Sequence, residues 1–387
     1  MKNQLESNHL QHLVLLLDSM EDPRNAKLAV HPLPEILFLL VVGTLCGYDE
    51  LTVIASYGRE KVDWLRKYYP YQSGVPSHDT LNRVLGLIDK RAFEKLFVQW
   101  VAQSFDLADG ELINIDGKRL NSSADRASQS KKRAEGGEYA QIIVNVYAAG
   151  AGIVLAQNNV TDKMDEVKGA HELLDWLSLE GCCVSGDSNF CGRKLIDKVI
   201  SSKADYLLAL KGKSPKILEA AKAGFDCAQI PKVVFQTEET GHGRHEKRVY
   251  RAIRAQSLPG AVTSSYAQLN QVVEVMRFRT VTRTGKYMEE THYYLTSLES
   301  GPEQLADKIR RHWSIENQLH YVLDVSFGED ACRSRIKNAA SNLSLIRKIS
   351  LNLLRLDPEP GSIKTKRMRL AVSDQRRDDL FEKIMMR

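Results

Sequence analysis

Three carboxylates in this chain are placed to do chemistry. Asp116 closes an apolar strand in LINIDGK, Asp187 closes another in CCVSGDSNF, and Glu316 lies within a helical stretch, RRHWSIENQLHYVLDVSFGED. An apolar strand ordinarily runs into a turn of Gly, Asn or Pro, so an acid at its end is unusual. Hard cations take oxygen ligands, and Mg²⁺ is held by one or two carboxylates together with waters and phosphate oxygens. Two strand-end aspartates and a helical glutamate therefore form a candidate divalent-metal site for phosphate chemistry. Singly, an Asp before Gly is better explained as a turn residue, and the chain has 49 acids. The order strand, strand, late helix is what singles these three out.

The elements that must position them read as follows. Residues 1–107 are helical, with Pro34 and Gly47 bracketing an apolar helix and Ser77 as an N-cap before Asp79. From about 108 to 225 the chain reads as three successive strands, then alternating helix and strand, an α/β layered sheet. In open α/β sheets ligands bind at the carboxyl ends of strands, so Asp116 and Asp187 can converge there. Residues 226–300 are β-rich. A helix opens at Pro302 and is expected to run through Glu316, whose neighbours at three and four residues' distance are His312, Trp313, Leu319 and His320. That face is apolar, aromatic and imidazole, so it should lie on the sheet, and a carboxylate there needs a cation or donor. A second amphipathic helix completes 301–357. DPEPGS then reads as a linker into a tail, 358–387, whose IKTKRMR is expected to be an exposed charge cluster.

The same residues resemble the DDE transposases of bacterial insertion sequences, and within them the H-repeat-associated group. The resemblance runs through DPR (22–24), PSHDT (76–80), IDGK (115–118), GD (186–187), ADYLLALKG (204–212), GHGRHEKR (241–248), HWSIENQLHYVLDVSFGED (312–330) and NLSLIR (342–347), covering nearly the whole chain. It implies an RNase H-like catalytic core with a β-rich insertion; together with the helical N-terminal domain, a candidate DNA binder, this makes an α/β fold. It further implies that Asp116, Asp187 and Glu316 are catalytic and hold two Mg²⁺ ions about 3.5–4 Å apart, with Mn²⁺ able to substitute. Such a site would cut the element's ends and join them to target DNA, with water and then a freed 3′-hydroxyl as nucleophiles. The wider superfamily carries Tyr, Arg and Lys seven before, four before and seven after its glutamate. Here those positions are Ile309, His312 and Leu323, so roles given to those groups do not carry over.

Basic segments offer candidate DNA contacts. Lys118, Arg119, Lys131, Lys132 and Arg133 follow Asp116, and either track a DNA backbone or form a solvated loop. Arg244 and Arg248 flank a Gly turn that is either a phosphate contact or a plain hairpin. Arg310, Arg311 and His312 precede Glu316 and are candidates for a phosphate contact.

The bulk numbers permit this reading without demanding it. A net charge of +5 over 387 residues is mildly basic, and 43% hydrophobic residues supply a real core. Six cysteines without metal-ligand spacing read as reduced thiols of a cytoplasmic protein, nucleoid-associated when bound to DNA. The longest apolar run, Ile36 to Cys46, falls well short of the roughly 20 residues a bilayer requires. The expected partners are double-stranded DNA, as terminal inverted repeats and target, and further copies of the chain, at least a dimer. Two alternatives stand beside this: an inactive relative that binds DNA without cutting it, and a structure-directed nuclease on the same core.

Overall fold

The computed structural model describes residues 9–120, 141–160, 165–241 and 243–385. Among these residues nine strands form one mixed sheet: β1 Leu112–Arg119, β2 Ile142–Ala148, β3 Ile153–Val160, β4 Cys183–Gly186, β5 Asp205–Leu210, β6 Val233–Gly241, β7 Arg244–Arg254, β8 Gln271–Val281 and β9 Tyr287–Thr296. Their order is β3-β2-β1-β4-β5-β9-β8-β7-β6. β1, β2 and β3 pair antiparallel, while β4 and β5 add in parallel. Three meandering strands extended by two parallel ones, with helices Glu166–Leu174 and Arg193–Ser201 as the connections, give the RNase H-like core that the sequence led us to expect.

The β-rich segment does not build a sheet of its own. Its last strand pairs antiparallel with β5, from Leu207↔Thr296 to Leu210↔Tyr293, so β9, β8, β7 and β6 prolong the core sheet. Strand alternation explains how this continuous surface is covered. Leu112 of β1, Cys183 of β4, Leu207 of β5, Tyr250 of β7 and Val273 of β8 all face Leu305, Ala306 and Ile309 of the helix Pro302–His312. One helix thus lies across both halves of the sheet, on the face from which Asn114 also projects toward it.

Helix Ala339–Leu356 is buried on all sides rather than amphipathic, because helices Leu33–Leu45 and His78–Leu87 cover what the sheet leaves open. Its polar residues are satisfied in place: Asn342 donates to the carbonyls of Leu85 and Ile88, and Asn352 both donates to and accepts from the Val154 backbone. Helix Leu33–Leu45 is the expected core helix. At Gly43 it approaches Ile54 so closely that an added Cβ would lie 2.9 Å from a side-chain carbon. Among the described residues no helix is long and apolar enough to cross a membrane.

The C-terminal expectation needs correction. IKTKRMR belongs to a helix, Ile363–Val372, in which Lys366 and Arg367 are buried. Lys366 donates to the carbonyls of Leu354 and Asp357. Arg367 reaches the carbonyl of Thr44 and the carboxylate of Asp49, and stacks 4.1 Å over Phe327. Basic residues this close to free helix-end carbonyls are held by the fold.

Candidate metal centre

Asp116 is not the end of its strand. β1 continues to Arg119, with Asp116 opposite Asn145 of β2. What ends there is the partner strand: the parallel pairing stops at Ile115↔Gly186, and Asp187 is the next residue. The register therefore sets Asp116 and Asp187 side by side, one from a continuing strand and one from a terminating strand. Asp187 turns out of β4 by accepting the Asn189 backbone N–H at 2.7 Å.

The pair two residues earlier fixes where the glutamate arrives. Asn114 Nδ2 donates to the carbonyls of Arg311 and His312, at 3.0 and 3.1 Å. With its amide so oriented, Asn114 Oδ1 accepts from Ser185 Oγ at 2.6 Å. Ser185 has then spent its proton, so the 3.0 Å contact with His312 is a bond donated by Nδ1–H to Ser185 Oγ. These bonds hold the last carbonyls of helix Pro302–His312 against β1 and β4. The expected continuous helix then breaks. Ile315–His320 is a π-turn, followed by helix Tyr321–Phe327. Wide turns of this kind are rare and concentrate at functional sites. Glu316 projects from it, with its carboxylate more than half exposed.

His320, four residues on, is the residue that sequence reasoning left out of the site. Its buried ring places Nδ1 3.3 Å from Glu316 Oε2 and 3.6 Å from Asp116 Oδ2. Its Nε2 lies 3.3 Å from Asn145 Nδ2, which also donates to the Ile143 carbonyl. With Asn145 donating, Nε2 is the acceptor and Nδ1 carries the proton toward Glu316. The spacing to Glu316 was visible in the sequence, but a histidine on an apolar helix face is equally a core residue.

The charges are unbalanced. Burial, then Glu316, with a further contribution from Asp187, push the Asp116 carboxyl up to about 8. The His320 hydrogen bond holds Glu316 below the usual carboxylate range. Burial pulls His312 down to about 4, so it is a neutral imidazole bonded to Ser185. Ligand-type atoms of Asp116, Glu316 and His320 lie within 4.8 Å of one another; with Nδ1 protonated, His320 would orient the two carboxylates, whose oxygens would hold the ion. Asp187 lies outside this tightest group. Crowded oxygen donors that cannot all ionise unaided are the donor chemistry a divalent cation relieves, so these residues fit one.

The basic candidates fare differently. Lys118 is buried and bonded to Asp324, to Glu329 at 2.8 Å and to Asp330 at 3.4 Å, so its ammonium is already engaged by carboxylates of the fold. Arg248 pairs with Glu246 and Glu239, Arg310 with Glu239, Arg244 with Glu246 at 3.9 Å, and Arg311 with Asp307 at 3.6 Å. Lys131, Lys132 and Arg133 lie outside the described residues. Arg119 is exposed at the end of β1. The exposed basic residues nearer Asp187 are ones the sequence did not single out. Lys213 donates to Asn189 at 2.5 Å, and Arg193, Lys213 and Lys216 make no salt bridge among the described residues.

Comparisons with known proteins give the chain's family. Residues 107–353 match the family model described as "Transposase DDE domain", and residues 14–101 match "DDE_Tnp_1-associated". "Putative transposase YncI" of Escherichia coli O157:H7 is 34% identical over 94% of this chain and 93% of its own length. "H repeat-associated putative transposase YhhI" of Escherichia coli K12 is 28% identical over 95% of this chain and 96% of its own. A shorter relative from the same strain, "Inactive transposase YbfQ", is 32% identical over 20% of this chain and 90% of its own length. A chain whose sheet register sets two aspartates together beneath a glutamate-bearing turn, and which matches across both segments, belongs to the DDE transposase family.

Proposed function

We propose that the chain is a metal-dependent DNA transposase that cleaves phosphodiester bonds at the ends of its own insertion sequence and transfers the freed strands. The observation that supports this reading is the register that sets Asp116 of β1 beside Asp187, the residue after β4, with Glu316 of the π-turn meeting Asp116 at His320. Their oxygens are the proposed holders of divalent cations, Mg²⁺ with Mn²⁺ as substitute. When bound, such ions supply an activated oxygen nucleophile and stabilise the departing oxygen of an in-line displacement.

The protein's own contribution is orientation. His320 donates to Glu316 and stands against Asp116, while Asn145 holds its ring, so the two carboxylates keep their mutual placement. Asn114 and Ser185 fix the helix end from which the turn departs. Lys118 ties β1 to the segment after Glu316, with Gly328 at φ 57 turning the chain so that Glu329 comes back beneath it. Trp313 is 55% exposed and Tyr321 62% exposed on either side of Glu316, and both are proposed to stack on bases of the strand being processed. Arg119, Arg193, Lys213 and Lys216 are proposed to follow its phosphates. The helical N-terminal region is the proposed reader of the element ends, and two ends held together imply at least a dimer on DNA.

The test is cleavage of supercoiled DNA carrying the element's terminal inverted repeats, with Mg²⁺ or with EDTA. Wild type should nick or linearise it only with the metal, and Asp187→Asn should bind the same DNA without cutting it. Binding by wild type with no cleavage in Mg²⁺ or Mn²⁺ would favour the binding-only alternative.

A further inference from the structure

A cavity of about 550 Å³ lies between the N-terminal helices and the segment that follows helix Tyr321–Phe327, with Thr52, His78, Asn82, Arg333, Ser334 and Arg347 in its wall. None of these residues serves the carboxylate site. Arg347 is the unusual one. It projects from the all-buried helix Ala339–Leu356, is only 2% exposed, and its Nε has no hydrogen-bond partner. It makes no salt bridge among the described residues. A guanidinium is always charged, has five donors and no acceptor, and is costly to bury without an anion.

The neighbouring acids do not meet that need. Glu329 is within electrostatic reach, but it is shared between Lys118 at 2.8 Å and Lys348 at 3.9 Å and also accepts from Ser344. Asp49, on the cavity wall, is bonded to Arg367 at 2.5 Å. Glu50 is exposed.

Other features of the wall point the same way. Helix Leu51–Glu60 begins at the cavity, and Glu50 makes no side-chain cap there. Helix His78–Leu87 begins there as well. Helix Leu51–Glu60 thus presents an uncapped N-terminus and its positive dipole end to this space, whereas at helix His78–Leu87 Ser77 already accepts the Thr80 N–H. Asn82 Oδ1, buried and without a partner, adds one acceptor. Exposed Arg333 stands at the same wall and makes no salt bridge among the described residues.

We propose that this cavity is a phosphate-binding site. Arg347 is its buried anchor, Arg333 the second cation, the uncapped N-terminus of helix Leu51–Glu60 a further donor, and Asn82 Oδ1 the acceptor for a ligand or water hydrogen. The phosphate belongs either to a DNA backbone or to a free phosphate species. The inference stands on Arg347 and its surroundings and survives if the catalytic reading fails.

The experiment uses the full chain in EDTA, so that no metal contributes. Thermal shift and calorimetric titration are run with inorganic phosphate, against chloride at equal ionic strength, and separately with a short DNA duplex. Phosphate should raise the melting temperature of wild type. Arg347→Met should lose at least tenfold in affinity while being no less stable than wild type without phosphate, since it removes an unpartnered buried charge. Arg333→Ala, at an exposed position, should weaken binding less. Arg347 dependence with the duplex alone identifies a DNA backbone as the source; dependence with inorganic phosphate identifies a free species. Equal binding by wild type and both variants, or no binding of either probe, overturns the proposal. If Arg347→Met does not fold, Arg333→Ala and Asn82→Leu carry the test, and wild-type affinity in both overturns it.

Discussion

His320 Nδ1 lies 3.3 Å from the carboxylate of Glu316, four residues before it in the π-turn. The contact makes the glutamate's position depend on a ring that is itself held by Asn145 across the sheet. Partners of this kind typically change metal affinity about 10–100-fold when removed. His320→Ala should therefore weaken Mn²⁺ binding by roughly tenfold or more, as measured by electron paramagnetic resonance titration, with the circular dichroism spectrum unchanged. An unaltered Mn²⁺ affinity would remove His320 from the site.

The sheet was legible from the sequence because its strands alternate or run apolar between turn residues. Asp116 and Asp187 stood out because acids interrupt those patterns. Glu316 owed its recognition to its apolar neighbours and to the family resemblance. The π-turn was not legible, since a wider backbone hydrogen-bonding pattern leaves no side-chain period to detect. The acid partners of Lys118 were not legible for a different reason. They lie 206 to 212 positions later in the chain, so locally Lys118 is an unpaired base beside a catalytic candidate. IKTKRMR failed likewise, because the Thr44 carbonyl and Asp49 that hold Arg367 belong to the opposite end of the chain.

The Lys118 clamp makes a prediction opposite to that of a DNA contact. Against the upward push of burial, Lys348 and Lys118 hold Glu329 down to about 2. Removing one partner of a buried pair costs about 3–5 kcal/mol. Lys118→Met should lower unfolding stability by that order in urea titrations, and leave the salt dependence of DNA binding by the folded protein unchanged. Intact stability with a shallower salt dependence would restore Lys118 as a phosphate contact.

Glu94 gives a pH dependence away from the site. It is 1% exposed in helix Lys90–Ser104, where burial pushes its carboxyl up to about 7 from the ordinary 4.5. A folded-state value above the unfolded one means that the folded chain holds the extra proton between those limits. The stability that Glu94 contributes is then fully present below about pH 4.5, is lost as pH rises through 7, and stays lost beyond it, by roughly 3 kcal/mol. Glu94→Gln, which keeps an acceptor for the Asn159 N–H, should be the more stable protein at pH 8, with the advantage shrinking toward pH 5. Melting curves of both proteins across this range check it; a pH-independent difference would contradict it.

Trp313 and Tyr321 flank Glu316 and are largely exposed, so their loss should cost binding rather than stability. Each aromatic–base stack is worth about 1–3 kcal/mol. Trp313→Ala should weaken binding to single-stranded or frayed end DNA about 5–150-fold, by fluorescence anisotropy, without lowering the melting temperature. Unchanged affinity would leave the indole without a role on DNA.

Anomalous diffraction from Mn²⁺-soaked crystals of the full chain addresses the site itself most directly. The account predicts anomalous peaks bounded by the oxygens of Asp116, Asp187 and Glu316, which disappear in Asp116→Asn. Ordered side chains with no peak among them, or manganese bound elsewhere while the three carboxylates point apart, would contradict it.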